Sequence, residues 1–252
     1  MKHDIFHDSR FFFATAPLPC PYLPGRVERR LVTELAGRDA TEMHDRLSLA
    51  GFRRSHGICY APACPDCNAC VAVRIHVPDF RMSRSLKRVR RLNDDLSSQV
   101  LSPTASNEQF ALFADYQAHR HGDGDMAKMD FLDYQALVED TPVETELVEF
   151  RGADGLLAAV CVVDRVENGL SAVYSFFEPD ASERGYGTHM ILWLVERARA
   201  EGLDYVYLGF WIDGCDKMAY KARFQPLEAL GINGWCRMED EDAECADGAA
   251  GR

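Results

Sequence analysis

Tyr205-Val206-Tyr207-Leu208-Gly209-Phe210-Trp211-Ile212 runs without a break into Asp213-Gly214-Cys215-Asp216-Lys217-Met218-Ala219-Tyr220-Lys221-Ala222-Arg223-Phe224-Gln225-Pro226. The first eight residues are aromatic, β-branched or leucine apart from one glycine, and read as a buried strand. The second part is polar and brings Lys217, Tyr220 and Lys221 within five positions. A rigid strand that ends in cations and phenols is where sheet proteins commonly place a site. Read alone, the strand favours an ordinary core strand and its turn over a site.

Working upstream, Gly187–Arg199 has a helical period, with Met190, Ile191, Leu194 and Val195 inward. Before it, Glu146–Phe150, Leu156–Val163 and Ala172–Phe177 read as strands, and Glu108 onward as a helix carrying Phe110, Leu112, Phe113 and Tyr116. A meander, a glycine-opened helix and a further strand follow the order of an acetyltransferase-like (GNAT) domain. The fold class expected is therefore α+β. A GNAT-like catalytic domain spans 108–238, with a smaller Cys/Arg-rich domain over 1–100 packed on it. The stretch 101–107 reads as a linker and 239–252 as an acidic, disordered tail. Fold analogy of this kind says little about substrate.

The chain has 252 residues and a formal charge of −12, unevenly spread. Residues 1–100 carry 16 basic against 11 acidic side chains, and residues 101–252 carry 12 against 29. A negative total thus coexists with a basic first part. No apolar run reaches the length of a membrane span, and nothing resembles a secretory signal. Nine cysteines, an odd number, argue against a disulfide framework and for a reducing cytoplasm.

The basic part has a pattern. Residues 84–96 predict a helix with Ser83 as N-cap and Leu86, Val89, Leu92 and Leu96 along one face. Arg84, Lys87, Arg88 and Arg91 line the opposite face, a stripe that can follow a phosphate backbone or simply face solvent. Before it, Cys64-Pro65-Asp66-Cys67-Asn68-Ala69-Cys70 sets three thiols at metal-compatible spacing. Cys20, Cys59 or His56 would supply a fourth zinc ligand, and four thiolates would also suit an iron–sulfur cluster. The alternative is a knuckle of reduced cysteines.

Three blocks now stand in order: Cys20-Pro21-Tyr22-Leu23-Pro24-Gly25-Arg26; Gly51-Phe52-Arg53-Arg54-Ser55 through the cysteine cluster, Arg74 and Arg90-Arg91-Leu92-Asn93; and 205–226. Their order and spacing resemble the aminoacyl-tRNA–protein transferases over nearly all of residues 10–237. Among them the chain looks most like the bacterial aspartate/glutamate leucyltransferases. Two departures stand out. Eukaryotic arginyltransferases carry a Cys-x-x-Cys where this chain has Cys20 and Leu23, so one ligand of their metal site is missing. Arg184-Gly185-Tyr186-Gly187-Thr188 is also more like the phosphate-cradling turn of an acetyl-CoA enzyme.

The resemblance implies transfer of leucine from leucyl-tRNA to the α-amine of proteins that begin with Asp or Glu, creating a destabilising N-terminus for degradation. The donor is an activated ester, so no cofactor is required. Zinc or an iron–sulfur cluster on Cys20, Cys64, Cys67 and Cys70 is the cofactor the family suggests. Lys217, Tyr220 and Tyr207 are the expected catalytic residues, with Tyr220 and Asp213 considered as general base. An acidic acceptor needs a cation, ideally a guanidinium; Arg53, Arg54, Arg74 and Lys221 are the candidates. Arg84, Lys87, Arg88, Arg91, Gly185, Gly187, Thr188 and Trp211 would take the tRNA. His119 and His121 read as solvated. Three alternatives remain: an arginyl donor with the same mechanism, a CoA-dependent N-acetyltransferase, and a non-enzymatic zinc-binding nucleic-acid module.

Overall fold

The structure, a computed structural model, describes residues 11–122 and 124–238; the acidic stretch 239–252 lies outside the described residues. In chain order the elements are β1 (Phe13–Ala14), β2 (Leu18–Pro19), β3 (Val27–Glu28), β4 (Arg30–Glu34), α1 (Ala40–Leu49), β5 (Arg53–Ser55), β6 (Ile58–Pro62), β7 (Cys70–His76), α2 (Arg84–Leu92) and β8 (Ser97–Leu101). There follow α3 (Asn107–His121), α4 (Phe131–Glu139), β9 (Thr145–Arg151), β10 (Leu157–Val166), β11 (Gly169–Phe177), α5 (Tyr186–Ala200), β12 (Tyr205–Ile212), α6 (Asp216–Ala219), β13 (Leu227–Gly231) and β14 (Gly234–Arg237).

An eight-stranded sheet in the order β14-β13-β7-β12-β11-β10-β9-β8 forms the frame. Strands β8 to β11 make an antiparallel meander, and α5 then crosses over to lay β12 parallel to β11. This is the α+β, GNAT-like arrangement expected. Helices cover both faces. On one, Met190, Ile191, Leu194 and Val195 of α5 and Leu86 of α2 pack on Val148, Phe150, Cys161, Val206 and Leu208. On the other, Leu112, Phe113 and Tyr116 of α3 and Tyr134 of α4 pack on Leu147, Val160, Val162 and Phe176. Capping boxes start both helices of that second layer, Ser106 with Gln109 and Asp130 with Asp133.

The division at residues 101–107 is not a division of the fold. Strands β7 and β8, from the first hundred residues, belong to the main sheet. Strand β7 fits between β12 and β13 because Val73 and Ile75 supply apolar residues to the α5 side of the core. The small sheet β1-β4-β6-β5, the two-stranded pair β2-β3 and helix α1 stand outside it. Helix α2 is also shorter than its periodicity predicts. It ends at Leu92 because the next residue, Asn93, is buried and donates its amide to the Val89 and Arg184 carbonyls. Leu86 is fully buried as expected, but Leu92 is 39% exposed.

Candidate active site

The site forms where two parallel strands part. Strands β11 and β12 are in register only from Gly169/Tyr205 to Ser171/Tyr207. Beyond that point β12 carries a bulge between Tyr207 and Gly209 and continues along β7 as far as Ile212. Gly209 takes φ +76°, a backbone conformation costly for any residue with a Cβ. The isolated glycine in an apolar strand was the one sequence signal of this bulge.

Arg53 fills the gap. Its Nη2 donates to the carbonyls of Ala172 (2.7 Å) and Val173 (3.0 Å) on β11. A Cβ on Gly209 would stand 2.7 Å from its guanidinium carbon, so glycine is what lets the cation in. Arg53 has no carboxylate partner among the described residues, and its Nη1 is buried without a hydrogen bond. A buried donor left in this way costs about 1–3 kcal/mol, a cost that a ligand carboxylate would remove.

Arg54 is different, because alternate residues of a strand face opposite ways. Its side chain is 1% exposed and forms a two-pronged ion pair with Asp164 of β10, Nε to Oδ2 at 2.6 Å and Nη2 to Oδ1 at 2.8 Å. Thr145 donates to the same carboxylate at 2.7 Å, and His44 lies 3.6 Å from it. Burial holds the His44 imidazole below its ordinary pKa. Arg54 therefore ties the small sheet to the large one and is not a substrate cation. Asp164, a charge within the apolar run of β10, was the overlooked sign of this.

Arg74 is likewise engaged. Its Nε binds Glu228 at 2.8 Å, and its guanidinium lies 3.5 Å over the Tyr205 ring and 4.2 Å over that of Trp235. Tyr207, expected to be catalytic, belongs to this cluster: its hydroxyl accepts from Arg74 (3.3 Å) and donates to Asn168 (3.0 Å). Burial raises its phenol pKa, so it stays protonated. Both residues are structural: the Tyr207 ring packs on Trp235 of β14, and Arg74 is held by Glu228 of β13.

Two side chains from the turn after β12 join Arg53. Lys221 is 5% exposed and donates from Nζ to the Phe210 carbonyl. Burial first, and then the charge of Arg53, push its ammonium down to about 7. Tyr220 is 38% exposed, but its hydroxyl lies toward Arg53, Tyr116, Cys161 and Arg120, and burial pushes it up to about 12. It is a donor at neutral pH, not the general base considered for it. Tyr60 and Phe210 add an aromatic wall, with ring centroids 6.1 Å apart. Lys217 is exposed and makes no ion pair or hydrogen bond among the described residues, so Lys221 is the lysine beside Arg53. Asp213 is exposed. Trp211 packs on the α5 side of the core, with its indole N–H buried and unpaired.

The residues expected to take the tRNA fall into two groups. Arg84, Lys87, Arg88 and Arg91 are all exposed on α2, and none has an acidic partner among the described residues. Their neighbour Arg90 is paired with Glu196 at 2.8 Å. The second group opens α5. Gly185, in the left-handed conformation, precedes Tyr186, and the first turn has no side-chain cap and no acid. Gly187 there stands against the ring of Phe177, the last residue of β11. The helix thus starts at the end of the sheet where β11 and β12 diverge, with N–H groups free for an anion.

The cysteine cluster does not match expectation in detail. Cys70 is near Cys20, Cys64 and Cys67, and burial, reinforced by these neighbours, pushes its thiol up to about 12. The Cys20 sulfur accepts from the Leu23 N–H at 3.4 Å, and the Cys64 thiol points to the Arg29 carbonyl at 3.7 Å. Among the described residues no three His, Cys, Asp or Glu side chains converge closely enough to hold a metal ion. As arranged, the four cysteines do not fit a zinc or iron–sulfur site. Nor is any helix among the described residues long and apolar enough to cross a membrane.

The family model "Arginine-tRNA-protein transferase, N terminus" matches residues 18–88, and its C-terminal counterpart matches residues 108–231. The aspartate/glutamate leucyltransferase of Paramagnetospirillum magneticum is 54% identical over 96% of this chain and 99% of its own length. That of Rhodospirillum rubrum is 52% identical over 91% of this chain and 94% of its own. Among solved structures, L-PGS from Bacillus licheniformis superposes with a TM-score of 0.46 at 12% identity, covering 72% of this chain and 54% of that one. With family models matching both halves of the chain and near-full-length relatives at about half identity, this chain belongs to the aspartate/glutamate leucyltransferase family of aminoacyl-tRNA–protein transferases.

Proposed function

We propose that the chain transfers leucine from leucyl-tRNA to the N-terminal α-amine of proteins beginning with Asp or Glu, and so marks them for degradation. The observation that carries the acidic preference is the unpaired Nη1 of Arg53. It is a charged donor, desolvated and already oriented by two backbone carbonyls. Such a group rewards a carboxylate far more than an amide or a methyl. Once the acidic side chain is docked on Arg53, the α-amine one bond away from its Cα lies near Lys221 and Tyr220.

The donor ester comes from the other direction. The α2 stripe runs along the phosphates of the acceptor stem, and the open first turn of α5 takes a phosphate near the 3′ end. Phe210 and Tyr60 offer flat apolar surface for the terminal adenosine or the leucyl side chain. Reaction then needs little beyond positioning, because the ester is already activated. The Tyr220 phenol, protonated at neutral pH, is suited to donate to the carbonyl oxygen as it gains charge.

The test is transfer of radiolabelled leucine and, separately, arginine from charged tRNA to peptides that begin with Asp, Glu, Lys or Ala. Leucine on Asp and Glu peptides alone supports the reading. Arginine in its place keeps the mechanism and changes the donor. Movement of neither label, with acetyl-CoA acetylating a peptide instead, would overturn it.

A further inference from the structure

Lys221 sits where a lysine is expensive. It is buried on the short helical turn Tyr220–Arg223, and its one hydrogen bond is to the Phe210 carbonyl. No acid forms an ion pair with it among the described residues. The charged or titratable groups that face it are Arg53 from β5, the Cys215 thiol after β12, the Cys70 thiol from β7 and the adjacent Tyr220 ring. The nearest charge is therefore a second cation. A buried ammonium in such surroundings is destabilised on two counts, desolvation and like-charge repulsion. A neutral amine avoids both penalties and still keeps an N–H on the Phe210 carbonyl.

We propose that Lys221 is the general base of the reaction, accepting a proton from the acceptor α-amine held beside Arg53; this rests on the aminoacyl-transfer reading above. The step balances within the site. The neutral α-amine attacks the ester carbonyl of leucyl-tRNA, and the new C–N bond leaves a positive charge on nitrogen. Lys221 Nζ takes one of that nitrogen's protons. The tetrahedral centre then collapses, the C–O bond to the ribose breaks, and the Lys221 ammonium returns the proton to the leaving oxygen. The products are the peptide bond, a free tRNA hydroxyl and neutral Lys221, ready for another turnover. The position of its ammonium pKa at about 7 matches this use, since a base works best near the working pH.

The rival role for Lys221 is to hold the acceptor's carboxylate as a second cation. Lys221→Arg separates the two: it keeps charge and a donor for Phe210 but cannot take a proton at neutral pH. Single-turnover transfer of leucine from leucyl-tRNA to an Asp peptide is measured for wild type, Lys221→Arg and Lys221→Ala, with thermal unfolding and leucyl-tRNA affinity alongside. Rates should fall on the order of 10²-fold or more in both variants while tRNA affinity stays within about twofold. Added alkylamines should restore Lys221→Ala in order of their basicity. A Lys221→Arg enzyme within about threefold of wild type would overturn the proposal, as would a folded Lys221→Ala that alkylamines leave unchanged. Wild type alone gives a second test. At saturating substrates, its acid limb near pH 7 should stay in place for acceptors of different α-amine basicity; a limb that tracks the acceptor overturns the assignment. Wild-type protein that moves no leucine at all would remove the functional reading, and this proposal with it.

Discussion

Replacing Arg53 with leucine should abolish the preference for acidic N-termini without abolishing the fold. The structure sets the size of the effect. Arg53 has one guanidinium nitrogen, Nη1, buried and free, while Nη2 is committed to Ala172 and Val173. A carboxylate can therefore gain one well-oriented charged hydrogen bond, worth about 1.5–3 kcal/mol. That is roughly a 10- to 150-fold loss in kcat/KM for an Asp peptide, with little change for the matched Asn peptide. Stability should fall by about 1–3 kcal/mol, because two buried carbonyls lose their donor. Arg53→Lys should not rescue, since a single ammonium cannot span two carbonyls and still meet the substrate. The assay is kcat/KM for leucine transfer to Asp- and Asn-initiated peptides that are otherwise identical. A folded Arg53→Leu enzyme that keeps the wild-type Asp-to-Asn ratio would refute the assignment and return the acidic pocket to another cation.

The remaining predictions concern the residues that the structure reassigned or left free. Arg54→Ala should lower stability by about 3–5 kcal/mol in urea titrations, because it leaves Asp164 charged and buried; unchanged stability would mean that the pair is not what joins the two sheets. Arg84 and Arg88 changed together to Glu should weaken tRNA binding and reduce the slope of log affinity against log salt by about 1.5–2, read by filter binding over a salt series. An unaltered slope would assign the α2 stripe to solvent. Lys221→Met should be more stable than wild type at pH 6, by up to about 4–5 kcal/mol for a pKa displaced from 10.5 to about 7. The sign follows from proton counts: between pH 7 and 10.5 the unfolded chain holds a proton that the folded one lacks, so wild-type stability recovers as pH rises through that window. Denaturant midpoints of both proteins at pH 6, 8 and 9.5 should converge; a constant gap would show that burial does not shift Lys221.

What the sequence determined by itself is what depends on near neighbours in the chain. The strand at 205–212, the helix after Gly185 and the N-cap at Ser83 follow from periodicity and from one or two special residues. So does the α2 stripe, because residues three and four apart on a helix share a face whatever lies around them. The family blocks were legible for the same reason, being short and local. Tertiary structure alone decided which cation does what. Arg53 and Arg54 are adjacent and chemically identical, yet one faces a strand divergence and the other Asp164, 110 positions away. Arg74 was lost to Glu228, 154 positions on, and Lys221 rather than Lys217 came to lie against Arg53. The place of β7 inside the main sheet, across the apparent boundary at residue 100, was equally out of reach. A side chain's charge is written in the sequence, but whether that charge is spent on an internal partner or left for a ligand depends on desolvation and on contacts that only the packed chain creates.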